Sequence, residues 1–256
     1  MSNTLTIWRK ELQSYFRSPI AYGVIAFFAL IAGYMFYSSV VIFVSASIRS
    51  SMMGQNQPMN VNDYVIRPIF GNVSVIFLIV IPMIAMRLFA EEKRSGTIEL
   101  LLTSPVKDWE IIFGKWLAAM TLYGAMLLTL LLSMATLFFY GQPDLRPMLT
   151  GFLGLLLLGG SMLSIGTFIS TLTKNQIVAV MASFSVCILW WILDWPASYF
   201  QDSTAGKILS YLAITQHLDS FTKGVLDMHD VVYYVSAIVI GLFLTARSLE
   251  SLRWRA

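Results

Sequence analysis

The sequence predicts an all-α polytopic membrane protein with six transmembrane helices, in which residues 1–256 form a single transmembrane domain. Hydrophobic residues make up 57% of the chain and charged residues 12%, whereas soluble domains contain about 45–50% and about 25%. The apolar residues also form six runs that reach or approach the roughly 20 residues with which a helix crosses a bilayer. These runs are residues 20–44, 69–90, 111–140, 148–173, 176–195 and 229–246.

An amphipathic helix is predicted ahead of the first run, at residues 4–17. Its apolar residues recur at spacings of three and four, which places them on one face of a helix: Leu5, Trp8, Leu12, Tyr15 and Phe16. With a basic opposite side, such a helix suits the headgroup plane of a membrane. Two roles remain open, a membrane anchor alone or an elbow helix that also contacts a cytoplasmic partner.

The first two runs are predicted to be membrane spans with distinct proline features. Ser18-Pro19 places a capping residue before a proline, which is a typical start of a helix. The run at 20–44 is too long for the apolar segment of a signal peptide, and no small-x-small cleavage site follows it. Pro82 is expected to kink the second span.

The later runs carry packing signals. The fourth contains small residues that suit close contact between helices, namely Gly159, Gly160, Ser164 and Gly166. The fifth contains Cys187, the only cysteine, which forms no intrachain disulfide and is expected to be a buried apolar side chain. The sixth is the shortest, because Arg247 ends it.

The basic residues predict the orientation of the spans. If the N-terminus is cytoplasmic, twelve Lys and Arg lie inside and five outside, the bias expected of cytoplasmic segments. The inside set is Arg9, Lys10, Arg17, Arg87, Lys93, Arg94, Lys107, Lys115, Lys174, Arg247, Arg253 and Arg255, and the outside set is Arg49, Arg67, Arg146, Lys207 and Lys223. Both termini are therefore expected in the cytoplasm.

Several classes of function are disfavoured. Away from their ends the spans contain no Asp, Glu, Lys, Arg or His, whereas ion-coupled transporters need such groups within the membrane. No GxxxxGK[ST] motif is present, since the glycine-lysine pairs at Lys115 and Lys207 lack the rest of the pattern. The basic residues are scattered, so nucleic acid is not expected as a partner. His217 and His229 share a segment with Asp219, Asp227 and Asp230, but no ligand spacing predicts a metal site.

Eight charged side chains gather in residues 91–110, which we call the charged segment: Glu91, Glu92, Lys93, Arg94, Glu99, Lys107, Asp108 and Glu110. Within it, Ile98, Leu101 and Leu102 form an apolar stripe on a short helix between Gly96 and Pro105. Such a helix is unstable alone in water and persists when it is docked. The sequence therefore favours a cytoplasmic contact surface, and a solvated loop on the membrane is the alternative.

The charged segment resembles the cytoplasmic loop of type-2 ATP-binding-cassette (ABC) permeases. The resemblance rests on an acidic pair, a Gly-Thr, a leucine-rich turn and a proline, which are Glu91-Glu92, Gly96-Thr97, Leu100-Leu101-Leu102 and Pro105. It extends to RKELQSYFRSPIAY at residues 9–22 and to the closing residues 217–254. These two ends look most like the branch of permeases associated with gliding motility.

The resemblance implies a permease without a nucleotide site of its own. The chain would pair with a second permease chain, identical or a related paralogue, and rest on two separate ATPase subunits that bind ATP and Mg. Residues 95–105 would be the coupling helix, with Arg94, Ile98 and Thr97 among its contacts and a shorter contact at Lys174. Residues 196–228 would partly re-enter the membrane from outside.

Further expectations follow from the same resemblance and from the shared cytoplasmic position of the charges. Glu91 and Glu92 would pass movement between the coupling helix and the second span by pairing with Arg9 or Lys10. The chain would lie in the inner (cytoplasmic) membrane, bind no cofactor itself and act in export. The alternatives are a membrane platform that transmits ATPase motion to an extracytoplasmic accessory protein, and a secondary transporter or facilitator.

Overall fold

The computed structural model describes residues 3–53, 60–103, 105–141, 143–199 and 203–253. Their helices, in chain order, are α1 (Asn3–Arg17), α2 (Pro19–Met52), α3 (Arg67–Ala85), α4 (Arg87–Ser95), α5 (Ile98–Thr103), α6 (Asp108–Ala135), α7 (Leu137–Tyr140), α8 (Leu145–Leu172), α9 (Gln176–Ile192), α10 (Asp194–Tyr199), α11 (Thr204–Leu212), α12 (Ile214–Thr222) and α13 (Met228–Arg253). A single π-helical turn, Asn62–Ile66, precedes α3. The described residues contain no strand.

The predicted fold class is confirmed. Within the described residues, six helical stretches are long and apolar enough to cross a membrane: Pro19–Met52, Asn62–Ser95, Asp108–Tyr140, Leu145–Leu172, Gln176–Pro196 and Met228–Arg253. Most of these helices are longer than the predicted apolar runs, because the helical backbone continues into the polar residues at either end. The last helix passes Arg247 and ends at Arg253.

The helix starts and breaks follow the local sequence. Ser18 caps α2 as predicted, and its side chain accepts a hydrogen bond from the Ile20 backbone at 3.4 Å. Pro82 lies inside α3, and the helix is interrupted at Met86 before α4 begins. This interruption separates the apolar α3 from the charged α4.

Helix α8 lies at the centre of the bundle, in contact with α3, α6, α9, α12 and α13. Two of its predicted small positions explain the close approach of its neighbours. A Cβ atom at Gly159 would lie 2.3 Å from the Tyr123 ring, and one at Gly166 would lie 2.5 Å from Ala85 Cβ. Ser164 and Cys187 are fully buried. The packing role predicted for these residues is confirmed.

The N-terminal amphipathic helix α1 packs along the beginning of α6. Trp8 Nε1 donates a hydrogen bond to Thr121 Oγ1 at 2.9 Å. A Cβ atom at Gly114 would lie 2.9 Å from Ile7, so the two helices are in close contact. Leu5 and Phe16 remain exposed. One face of α1 therefore packs on the bundle and other apolar side chains are left for the surroundings.

The segment between the fifth and sixth spans folds into α10, α11 and α12. Helix α12 packs against α8, and its Leu218 and Phe221 side chains are buried. Phe221 Cβ lies 2.8 Å from the position of a Cβ atom at Gly154, and its carbonyl accepts a hydrogen bond from Thr150 at 2.6 Å. The end of α12 is thus attached to the side of a long apolar helix.

Candidate coupling site at the charged end of the bundle

The charged segment folds into the end of α4, the short helix α5 and the start of α6. Helix α4 stops at Ser95 because Gly96 adopts φ +73°, a left-handed conformation that costs glycine little and other residues more. Gly96 therefore precedes the short helix, as the sequence predicts. Helix α5 then runs for six residues before the chain turns into α6 at Asp108.

Next to this turn, a buried lysine joins three helices. Lys115 Nζ of α6 lies 2.9 Å from Glu11 Oε1 of α1 and 2.8 Å from Glu92 Oε1 of α4. The Lys115 side chain is 2% exposed and each glutamate side chain 17%. The Lys115 ammonium also lies 5.4 Å from the centre of the Phe89 ring. We call Glu11, Glu92 and Lys115 the lysine cluster.

The lysine cluster explains how a charge is accommodated so close to the apolar part of α6. An ammonium group buried without a partner is costly, and two carboxylates with good geometry compensate it. Removal of either kind of partner would leave a buried charge uncompensated. The cluster therefore fixes the relative positions of α1, α4 and α6.

Sequence reasoning missed two members of this cluster. It counted Lys115 among the cytoplasmic basic residues and as part of a failed phosphate-binding motif, and it did not single out Glu11. The expectation that Glu92 pairs with Arg9 or Lys10 is wrong, because Lys115 is its partner. Arg9, Lys10 and Glu91 are exposed. A lone lysine seven residues into a long apolar helix was the available signal.

On its other side, α4 is attached to the end of α8. Lys93 Nζ donates a hydrogen bond to the Thr171 carbonyl. The Ser170 hydroxyl accepts one from the Phe89 backbone at 3.1 Å. Lys174, the predicted second contact, is exposed three residues beyond Thr171. The two segments predicted to contact an ATPase therefore lie at the same end of the bundle.

The apolar side chains of the short helix α5 differ in how far they are buried. Ile98 and Leu101 are partly buried and pack against the core of the bundle. Leu100 is 73% exposed. The Leu102 side chain lies outside the described residues. Leu100, which was not chosen from the sequence as a contact, is thus the most exposed apolar side chain described in α5.

The polar residues predicted around this helix form its exposed edge. Arg94, Gly96, Thr97 and Pro105 are all exposed. Thr97 Oγ1 lies 2.9 Å from Ser95 Oγ, so the two hydroxyls bridge the turn. An exposed apolar side chain within a charged edge is the arrangement found at protein interfaces.

The opposite ends of the chain also meet here. Glu110 Oε2 accepts hydrogen bonds from Asn3 Nδ2 and the Lys107 backbone, each at 3.1 Å. Arg253 at the end of α13 lies 3.7 Å from Asp108 Oδ1 at the start of α6. The N-terminal helix, the charged segment and the last helix therefore share one end of the bundle.

Comparison with known families agrees with this architecture. A search of curated proteins finds no match. The family model described as ABC-2 family transporter protein matches residues 5–249, nearly the whole chain. Permeases of this family usually work with an ATPase subunit, and the six apolar helices make this chain a multi-pass membrane protein. The chain belongs to the ABC-2 family of transporter proteins.

Proposed function

We propose that this chain is the permease subunit of an ABC exporter and that a separate ATPase drives it through α5. The observation that carries this proposal is the position of Leu100, whose side chain is 73% exposed on the short helix α5. The turn at Gly96 joins α5 directly to α4, the helix that contains Glu92 of the lysine cluster. This geometry supplies both a contact surface and a route for movement. Within the family, the two ends of the chain favour the gliding-motility branch.

The contact surface is suited to a groove on the ATPase. Helix α5 has six residues, too few for a stable helix in isolation. Ile98 and Leu101 attach it to the bundle, while Leu100 projects from the exposed side. An apolar anchor surrounded by polar residues is the feature through which a small interface gains most of its binding energy. Arg94, Thr97 and Lys174 would form the surrounding rim.

Movement of α5 would reach the spans through the lysine cluster. Buried ionic contacts connect α4 to α6 at 2.8 Å and α6 to α1 at 2.9 Å. Because separation would leave buried charges without partners, these helices are expected to move together. ATP-driven displacement of α5 would thus be transmitted to the third span and to α1.

The assembly that we propose contains two permease chains and two ATPase subunits, and ATP and Mg bind to the ATPase alone. The second permease chain is a second copy or a related paralogue. The first span leaves large apolar side chains such as Leu30, Tyr34 and Tyr37 exposed. These surfaces are assigned to the lipid bilayer and to the second permease chain.

Substitution of Leu100 tests the proposal. Leu100→Asp is expected to weaken ATPase association by about 2 kcal/mol or more, because it places a charge in a desolvated contact. Membrane insertion should be unchanged, since this side chain is mostly outside the core. The measurement is copurification and titration of the ATPase subunit with detergent-solubilised permease. Leu226→Asp, at an exposed position of the opposite end, is the matched control. Wild-type association of Leu100→Asp would refute the proposal.

The orientation that we propose has both termini in the cytoplasm and α10–α12 outside, partly re-entering the membrane. The support is the basic-residue bias and the contact of Phe221 with Gly154, nine residues into α8. At about 1.5 Å per residue, α12 reaches well below the end of that helix.

Labelling with a membrane-impermeant maleimide checks the orientation. In intact cells, Thr204→Cys should react and Ser95→Cys should react only after permeabilisation. Both positions are exposed, and the native Cys187 is buried, so its background reaction should be low. The opposite labelling pattern would contradict the assignment.

A further inference from the structure

Two histidines and an aspartate converge at the end of the bundle opposite the charged segment. His217 lies on α12, while His229 and Asp230 begin α13. One potential ligand atom of each residue lies within 4.8 Å of the others. We propose that these three residues form a binding site for a divalent transition-metal ion. The proposal is independent of the coupling function assigned to the other end.

The orientation of His217 is the first argument. Its Nε2 lies 2.9 Å from the Tyr211 carbonyl oxygen, which only accepts hydrogen bonds, so this nitrogen carries the proton. A metal-binding histidine typically donates its second N–H to a carbonyl or carboxylate in this way. The ring is also held by stacking on Tyr233 at 3.8 Å. Nδ1 is therefore presented in a fixed direction.

The contact of Nδ1 with Asp230 is the second argument. His217 Nδ1 and Asp230 Oδ1 are 2.6 Å apart. With the proton on Nε2, both of these atoms are acceptors, so they require a positive charge near them. Either a second proton on the imidazole or a bound cation supplies it. The other residues of the site favour the cation.

Asp230 is the third argument. Its side chain is 8% exposed, and within the described part of the chain its Oδ2 atom has no hydrogen-bond partner. A buried carboxylate with an unsatisfied oxygen is costly. Among the described residues, its ion-pair partners are the two histidines. A cation bound by the carboxylate would satisfy the oxygen that histidine alone leaves unpaired.

His229 completes the set and provides access. Its side chain is 58% exposed, and its Nδ1 lies 3.9 Å from Asp230 Oδ1. Ligands at about 2.0–2.1 Å from a tetrahedral ion are roughly 3.3 Å apart. A small rotation of the exposed His229 ring would bring it to this spacing, and His217 Nδ1 and Asp230 Oδ1, now 2.6 Å apart, would separate to the same spacing as the ion enters. Two imidazoles and one carboxylate suit Zn²⁺ and related ions, and leave a coordination position open.

This assignment revises the sequence-based expectation that the chain has no metal site. The eleven residues between His217 and His229 gave no recognisable ligand spacing. Helix α12 and the start of α13 pack against each other in the fold and bring the ligands together. A bound ion would clamp α12 to the sixth span.

Metal titration of the purified full-length protein tests the proposal. After treatment with a chelator, the protein is titrated with Co²⁺, whose visible absorption reports imidazole and carboxylate coordination, and then with competing Zn²⁺. We expect one ion per chain. His229→Gln, at an exposed position that does not affect the core, should weaken binding at least about tenfold. Zn²⁺ should also raise the Tm of the wild type more than that of His229→Gln.

Asp227→Asn is the matched control. Asp227 is exposed and lies outside the ligand set, and it accepts a hydrogen bond from the His229 backbone at 3.0 Å, which an asparagine can retain. Its variant should bind the metal as the wild type does. The proposal is overturned if the wild type binds no ion, if His229→Gln binds equally well, or if both variants weaken binding to the same extent.

Discussion

The two ends of the bundle each contain a cluster of three charged side chains, but only one is shielded from water. At the charged end, Lys115 is 2% exposed and contacts its two glutamates at 2.8 and 2.9 Å. At the opposite end, which we call the outer end after the orientation proposed above, Asp219 contacts Arg67 at 2.6 Å and Lys223 at 2.5 Å, and all three side chains are 41–50% exposed. The shorter contacts therefore belong to the more exposed cluster.

The comparison shows that burial determines how strongly an ion pair holds helices together. Exposed ion pairs contribute little to stability, because water already solvates the separated charges and salt screens their attraction. A buried pair need not stabilise the fold either, but removing one partner is strongly unfavourable. The lysine cluster is thus suited to keeping helices together during movement, whereas the outer cluster can break and re-form.

The outer end depends instead on apolar packing. Phe221 and Leu218 of α12 pack against α8 at Gly154, where the absence of a side chain allows close contact. Tyr234 Oη donates a hydrogen bond to the Ile214 carbonyl at 2.7 Å, which connects the beginning of α12 to α13. These contacts do not rely on charge. Substitutions that remove charge and substitutions that add volume should therefore affect the two ends differently.

The largest effect is expected from Lys115→Met. The substitution leaves Glu11 and Glu92 facing each other without a cation, at a cost of about 3–5 kcal/mol. Neutralising the carboxylates as well, in Lys115→Met/Glu11→Gln/Glu92→Gln, should recover most of this loss. The measurement is denaturant unfolding of the protein in detergent.

Lys107→Met controls for the loss of a lysine alone. Lys107 is exposed at the start of the same helix, so its substitution should change stability by less than about 1 kcal/mol. If Lys115→Met is as mild as this control, the lysine cluster does not hold the three helices together. If the triple variant is no more stable than Lys115→Met, packing rather than charge explains the loss.

The sequence predicted the features that depend on local composition. Apolar runs of sufficient length indicated the six spans, Gly96 indicated the boundary of the short helix and the small residues of α8 indicated close packing. Each of these signals lies within one helix or turn. Hydrophobic runs and backbone conformation depend on residues that are close together in the sequence, so they can be predicted from the sequence alone.

Features that join distant segments were not predicted. Glu11 and Lys115 are separated by 104 positions, and nothing in the local sequence links them. Leu101 and not Leu100 was also selected from the sequence as the contact, because a helix of six residues has too few positions to define a face. Only the packing of α5 on its neighbours separates the half-buried from the exposed leucine.

An intermediate effect is expected from added volume at the helix contacts. Gly114→Val would bring side-chain atoms against Ile7 of α1, and Gly154→Val would do so against Phe221 of α12; the glycine Cβ positions lie 2.9 and 2.8 Å from these residues. Each substitution should cost about 1–3 kcal/mol through overpacking. Hydrogen exchange should localise the loosening to α1 in the first variant and to α12 in the second.

Gly124→Val is the control for valine in a helix, because no atom lies within 4 Å of a Cβ at this position of α6. It should leave the exchange of both α1 and α12 unchanged. Equal loosening in all three variants would mean that the effect comes from helix propensity and not from the contacts. Loosening of both ends by either variant would show that the two ends are coupled through the bundle.

The smallest effect is expected from Asp219→Asn at the outer end. Burial raises the pKa of the Asp219 carboxyl, but hydrogen bonds from Lys223 and Arg67, together with their charges, outweigh it and hold the pKa below its usual 3.8. The contribution of this carboxylate is therefore present above about pH 4 and is lost as the pH falls through the lowered pKa. Because the side chains are exposed, we expect less than about 1 kcal/mol at pH 7.

The measurement is the difference in Tm between the wild type and Asp219→Asn as a function of salt and pH. The difference should shrink in 1 M salt at pH 7, where the Debye length is about 3 Å. It should also shrink below the usual carboxyl pKa, whereas the Lys115→Met defect should change little with salt because its charges are shielded from ions. A large, salt-independent loss in Asp219→Asn would mean that the outer cluster is buried in the membrane or by a partner. The two ends would then differ in their residues but not in the rigidity of their charged contacts.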